Sequence, residues 1–165
     1  MNKNNSILSF CCNSNKEFSQ FYSNYLVHPK NETAKTHMPE IIINCVSEFM
    51  RSNKNPPSDL ILIKNGSTKY DNKLLVQTEV SEIKETLKAL HSHPAKLTYI
   101  LLDKDTNQKF FAAQGQGIAN PQSGMLVDCE AVGKGFEFYL VAQQCNRGTV
   151  RPTFYKIIYS DSSLE

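Results

Sequence analysis

The residues with the clearest capacity for chemistry close the run Asp59-Leu60-Ile61-Leu62-Ile63-Lys64-Asn65-Gly66, where consecutive apolar side chains stop at a polar residue and a glycine. Such a run reads as a buried strand that delivers its last side chain to a sheet edge. In open α/β sheets ligands bind outside the strands' carboxyl ends, which makes Asn65 a candidate site residue. The alternative is that Asn65-Gly66 is a plain turn. His91 and His93 straddle Ser92 ahead of Pro94 with no acid or cysteine beside them, and read as solvated residues at a helix end. Asp103 and Asp105 bracket Lys104 in a turn that could meet a cation, although loop acids of this kind are ordinarily solvated. Gly115-Gln116-Gly117 is too short to cradle a phosphate. The five cysteines, at 11, 12, 45, 129 and 145, form no Cys-x-x-Cys pair and no Cys/His spacing of a zinc site. Their odd number reads as reduced thiols of an intracellular compartment.

A chain of 165 residues with 40% apolar content is the size of one domain with its own core. The net charge of +2 provides no global field, so a polyanion site would have to be a local cluster. No apolar run approaches the roughly 20 residues that span a bilayer, which reads as a soluble protein without membrane association.

The elements that must position these residues alternate between the two periods. Residues 1–5 read as a disordered end. Residues 6–12 and 18–27 read as strands of an antiparallel hairpin that opens the sheet. After the loop His28-Pro-Lys-Asn-Glu32, Met38, Ile42, Val46 and Phe49 recur at helical spacing, with Pro39 in the first turn. Pro56-Pro57 ends that helix ahead of the central strand. Val80, Ile83, Leu87 and Leu90 mark a second amphipathic helix, and 96–102 a further strand. Strands follow at 109–113, 125–129, 136–142 and 153–159. Helices alternating with apolar strands place the chain in the α/β class, with a mixed sheet flanked by helices.

Across residues 6–161 the chain carries a set of segments in one order: Ser6-Ile-Leu-Ser-Phe-Cys-Cys-Asn-Ser-Asn15, Phe21-Tyr22-Ser23, His28-Pro-Lys-Asn-Glu32, Ile63-Lys64-Asn65-Gly66, Asn120-Pro-Gln-Ser-Gly124 with Val127-Asp128, and Gly148-Thr-Val-Arg-Pro-Thr-Phe-Tyr155. Together they resemble the PIWI domain of the Argonaute and Piwi proteins. The resemblance implies a ribonuclease H-like fold over residues 6–161, entered at its second strand and lacking the first strand and the final helix, with 162–165 a ragged end. An absent edge strand would leave unpaired backbone groups exposed. Active members slice RNA paired to a bound guide, using two Mg²⁺ ions that clamp the scissile phosphate. Their ligands are an Asp–Glu–Asp set completed by Asp or His.

Carried over by the resemblance, the catalytic positions are Glu32, Asn65 and Phe154, the first aspartate falling upstream of this chain. Glu32 matches the family's His-Pro-Gly-Gln-Glu, with a solvated loop charge as the alternative. Asn65 stands where the family has Arg-Asp-Gly and keeps one oxygen but not the charge that a divalent ion requires. Phe154 stands where active Piwi proteins have histidine, and a phenyl ring offers no ligand. Asp128 matches an aspartate common in the family, or merely fixes a strand end. No metal site and no cofactor are therefore expected, Mg²⁺ entering only if the site is active. Asn65 and Phe154 are expected on neighbouring strand ends facing one cavity.

Binding residues match better. Lys104-Asp-Thr-Asn-Gln-Lys109-Phe-Phe resembles the family's basic loop Lys-Arg-x-x-x-Arg-Phe-Phe, departing from it at Asp105. Gln144, Arg147, Thr149 and Arg151 surround the Gly148 turn in a segment that lines the family's nucleic-acid channel. Cations and hydroxyls so spaced suit a sequence-independent grip on phosphates, and Lys109, Arg147 and Arg151 are expected along one groove. The function implied is a small-RNA-guided silencing module that holds guide RNA and target RNA without slicing, inside the cell in cytoplasm or nucleus. One alternative is an RNA-guided endoribonuclease, active in a longer product, that tolerates Asn65 and recruits Asp71 or Asp128. The other is an interaction module that recruits silencing-complex proteins through apolar pockets.

Overall fold

The computed structural model describes residues 4–30, 37–66, 76–128, 136–145 and 147–162. The chain forms two compact units, Met1–Leu60 with Lys73–Leu97 and Ile61–Asn72 with Thr98–Glu165.

In the first unit β1 (Asn5–Asn13) and β2 (Phe21–Pro29) form an antiparallel hairpin with Asn5 opposite Pro29 and Asn13 opposite Phe21. The loop between them is longer than the aromatic run suggested. Phe18 takes φ 54°, a left-handed conformation that no strand admits, and the Asn15 carboxamide accepts from the N–H groups of Ser19 and Gln20, both at 3.1 Å. Helix α1 (Met38–Asn53) carries Pro39 in its first turn and buries Met38, Ile41, Ile42 and Val46 along one stripe. It stops at Lys54, whose left-handed φ of 60° turns its N–H onto the Met50 carbonyl at 2.7 Å. The Asn53 amide, at the same end, donates to the Ser14 carbonyl at 2.9 Å and so fastens α1 to the hairpin loop. A π-helical turn, Val76–Val80, leads into α2 (Ser81–Leu90), which buries Ile83 and Leu87 and packs against α1.

The remaining strands are β3 (Asp59–Asn65), β4 (Lys96–Asp103), β5 (Ala112–Gln114), β6 (Gly117–Ala119), β7 (Leu126–Val127), β8 (Glu137–Leu140) and β9 (Thr153–Ser160). Five of them make one sheet in the order β3-β4-β9-β8-β7. Lys96 donates to the Ser58 carbonyl and Gly66 to the Leu102 carbonyl, so β3 and β4 advance in parallel with Asn65 beside Leu102. The other pairings are antiparallel, which makes the sheet mixed, as the alternation of helices and strands implied. Leu97, Tyr99 and Leu101 of β4 are buried on one face, and Val141, Val150 and Pro152 are buried as well.

Three expectations are corrected. Among the described residues the β1–β2 hairpin is a two-stranded sheet of its own rather than the opening of the larger one, because apolar alternation fixes a strand's faces but not which edge it pairs with. Strand β3 is not buried on both sides: Ile61 is 64% and Ile63 52% exposed, while Leu60, Leu62 and Lys64 are half-buried. An unbroken apolar run reads as buried through and through, yet a strand is buried on both faces only where another layer covers each, and the Ile61 and Ile63 side of β3 lies open. The strand placed at 109–113 begins only at Ala112, as β5, and turns back as β6 in a hairpin whose Gly115 supplies the positive φ of 59° at the turn.

Candidate nucleic-acid interface

Asn65 ends β3 with an exposed side chain, and Phe154 lies second in β9. They are not on neighbouring strands, since β4 runs between them. Nor do they share a face. Side chains in register across a sheet point the same way; Asn65 is in line with Leu102 and Tyr155, whereas Phe154 is in line with Asp103 and Tyr139. Motif order places residues along the chain and leaves the face to strand parity, which is why the expectation of a shared cavity failed.

Phe154 is a packing residue. Its ring lies 4.8 Å from that of Tyr139, which meets Phe110 edge-on at 5.3 Å. Burial, reinforced by the charges of Glu137 and Asp103, pushes the Tyr139 hydroxyl up from its ordinary value. On the other face Phe138 and Tyr155 stack at 5.0 Å and 7°. Glu32 and Asp71 lie outside the described residues, and Asp128 is exposed just beyond β7. Among the described residues no three His, Cys, Asp or Glu side chains converge to hold a metal ion. A neutral amide on one face and a packed phenyl ring on the other do not fit a pair of Mg²⁺ ions, which need several anionic oxygens around one point. His91 caps α2, its N–H donating to the Leu87 carbonyl and its Nδ1 accepting from the His93 N–H.

Hydrogen bonds tie together parts of the backbone that carries the basic positions. Thr106, midway between Lys104 and Lys109, donates its hydroxyl to the Pro152 carbonyl at 3.1 Å, which fixes that loop beside Arg151. The Asp105 N–H donates to the Asp103 carboxylate at 2.9 Å and tightens the turn that carries Lys104. From the other side, Asn120 donates to the Gly148 carbonyl at 2.8 Å and accepts from the Val150 N–H at 3.1 Å, holding the turn in which Gly148 takes φ 81°. The rest of the Asn120-Pro-Gln-Ser-Gly124 segment is tied to the strand end before that turn, Ser123 donating to Ala142 and Gly124 to Val141. The Cys145 thiol donates to the Arg147 carbonyl at 2.8 Å. Segment 148–152 is thus clamped from two directions.

Around it Lys104, Lys109, Gln144, Arg147 and Arg151 are exposed and Thr149 is half-buried. None of these four cations makes an ion pair with a described residue, in contrast to Arg51 with Glu48 and Lys156 with Glu137. Free cations on a fixed backbone can neutralise phosphates without first breaking internal pairs. Asn120 and Thr106, which make these ties, carried no assigned role in the sequence, each appearing only inside a segment that resembles the family.

The chain matches the Piwi domain family over residues 1–165. It is 29% identical over 164 residues to Piwi-like protein Ago3 of Bombyx mori, covering 98% of this chain and 18% of that protein. Its fold superimposes on Kluyveromyces polysporus Argonaute, solved with a guide RNA, with a TM-score of 0.84 at 22% identity, covering 99% of this chain and 20% of the other. It superimposes on Drosophila Piwi with a TM-score of 0.73 at 26% identity, covering 98% of this chain and 24% of the other. The chain spans about a fifth of the length of the curated relatives it matches.

Proposed function

This chain belongs to the Piwi domain family, and from that premise we propose that it contributes to small-RNA-guided silencing by gripping the backbones of guide and target RNA, without cutting either. The observation that carries the reading is the double clamp on segment 148–152, which ties the backbone on either side of Arg151 to Thr106 and Asn120, while all four cations stay unpaired among the described residues. Such contacts position a strand and read no bases, as suits a protein whose sequence information resides in a guide. The Argonaute solved with a guide RNA supports nucleic acid as the partner class. The absence of cutting is supported by the side chains themselves: neutral Asn65 and packed Phe154 sit on opposite faces at the positions that resemble metal ligands. We place the protein inside the cell, in cytoplasm or nucleus, with guide and target RNA as partners and silencing-complex proteins as further ones.

The test is a titration of the chain with a short labelled single-stranded RNA at increasing salt. Each cation that meets a phosphate contributes about −0.7 to the slope of log affinity against log salt for a single strand. The variant Lys109→Ala/Arg147→Ala/Arg151→Ala is expected to flatten that slope by about 2. An unchanged slope and affinity would instead favour the interaction-module reading, and metal-dependent cleavage at one guide-defined position would overturn the claim that it does not cut.

A further inference from the structure

The basic loop that begins at Lys104 ends in an aromatic side chain that packing does not explain. Phe111 is 51% exposed, although it follows Phe110, which is half-buried with its ring edge-on to Tyr139. Exposure alternates along this stretch: Lys109 out, Phe110 in, Phe111 out. Alternation of that kind places Lys109 and Phe111 on one side of an extended backbone while Phe110 anchors the other. The β5–β6 register pairs Ala112 with Ala119, so Phe111 and Asn120 each lie one residue beyond the last pair of the hairpin. Asn120 is the residue whose side chain holds Gly148 and Val150. Phe111 therefore follows Lys109 by two residues and enters the hairpin at the end from which Asn120 holds the turn between Arg147 and Arg151.

We propose that Phe111 is a stacking platform for an unpaired base of the bound RNA, seated among Lys109, Arg147 and Arg151, which hold the phosphates on either side of that base. The inference rests on the nucleic-acid reading above and deepens it, because it names the state of the ligand at this point: a single-stranded nucleotide with its base face available. Surfaces that hold single strands combine a basic track with aromatic faces, and stacking tolerates any base because every base has a π-face. A duplex grip would need only the cations. An exposed phenyl ring in water beside unpaired cations has no such role to play.

Because the chain contains no tryptophan, Phe111→Trp creates a single fluorescent reporter at the proposed contact. RNA titrated into this variant is expected to quench the indole, whereas an abasic ribose-phosphate strand of equal length is expected to bind more weakly and leave the emission nearly unchanged. Phe111→Ala is expected to weaken single-stranded RNA binding about 5- to 150-fold, the span of one base stack, without altering the salt slope. Lys109→Ala is expected to do the reverse, flattening the slope by about 0.7. Unchanged melting of Phe111→Ala separates the binding effect from unfolding. Emission that does not respond to RNA, equal quenching by the abasic strand, or full affinity in Phe111→Ala would each overturn the stacking role while leaving the phosphate grip intact. Salt-independent or absent binding by the unsubstituted chain would overturn the grip and the stacking role together.

Discussion

Changing Asn65→Asp and Phe154→His would return two ligand types to the positions that resemble the family's metal site, and the fold predicts that cleavage will not follow. Two strand spacings separate β3 from β9, which is about 10 Å of backbone. A pair of catalytic ions sits only about 4 Å apart, and Mg²⁺ holds its ligands at about 2 Å, so carboxylate and imidazole must converge from one side. Here strand parity sends the two side chains to opposite faces of the sheet. The cost of the attempt is also unequal. Asn65 is exposed, and its substitution should stay within about 0.5 kcal/mol. Phe154→His gives up the ring contact with Tyr139 at 4.8 Å, worth about 0.5–1.5 kcal/mol beyond its share of burial. The double variant should therefore be destabilised by about the Phe154 term alone, the two sites sharing no contact. Urea unfolding measures the loss, and a guide-loaded cleavage assay with Mg²⁺ and with Mn²⁺ measures activity. Guide-directed cleavage by the double variant would refute the reasoning, because it would require the two side chains to meet at one ion.

Three further outcomes follow from other parts of the fold. Asn120→Ala removes both hydrogen bonds that hold the Gly148 turn, at about 1 kcal/mol each; it should lower the melting temperature and weaken RNA binding with all four cations still present, and full affinity in this variant would show that the clamp does not order the surface. Burial and the mutual Cys12–Cys45 contact raise the Cys45 thiol above its ordinary 9.0, so the folded state holds its proton while the unfolded state releases it above that pH. Stability should be fully present below pH 9 and fall as the pH climbs beyond it, and half-buried Cys45 should be alkylated more slowly than exposed Cys11 at pH 8; equal rates would contradict the difference in exposure. Ile61 and Ile63 expose β-branched side chains on a strand that, among the described residues, pairs on one side only. Light scattering should show concentration-dependent association that Ile61→Lys/Ile63→Lys suppresses, and identical scattering from the two proteins would remove the strand from suspicion.

Much of the fold was legible because the two periods are written plainly. The helical stripe Met38, Ile42, Val46 reappears as the buried face of α1, joined by Ile41, and β4 alternates as Leu97, Tyr99 and Leu101 required. Other features depended on backbone choices that composition cannot show. The start of β2 was displaced by the left-handed turn at Phe18, a conformation that a bulky aromatic gives no warning of. The exposure of Ile61 and Ile63 depended on what covers that face of β3, and a strand's own residues say nothing about the layer packed on it.

The site separates along the same line. Basic residues far apart in sequence, from Lys104 to Arg151, could be matched to a binding role because phosphate contacts tolerate approximate placement, and long side chains reach over several ångströms to a diffuse charge. A metal centre tolerates no such latitude. A shift of one residue in a strand turns a side chain from one face to the other, so the match that assigned Asn65 and Phe154 by chain order had no bearing on whether they could share an ion. What the structure adds is the pair of hydrogen-bonding residues, Thr106 and Asn120, that tie segment 148–152 to two other parts of the chain. Neither is charged or aromatic, and each acts only on the backbone. Positioning residues of this kind become visible when the segments they join are seen side by side, which here are about 28 to 46 residues apart in the chain.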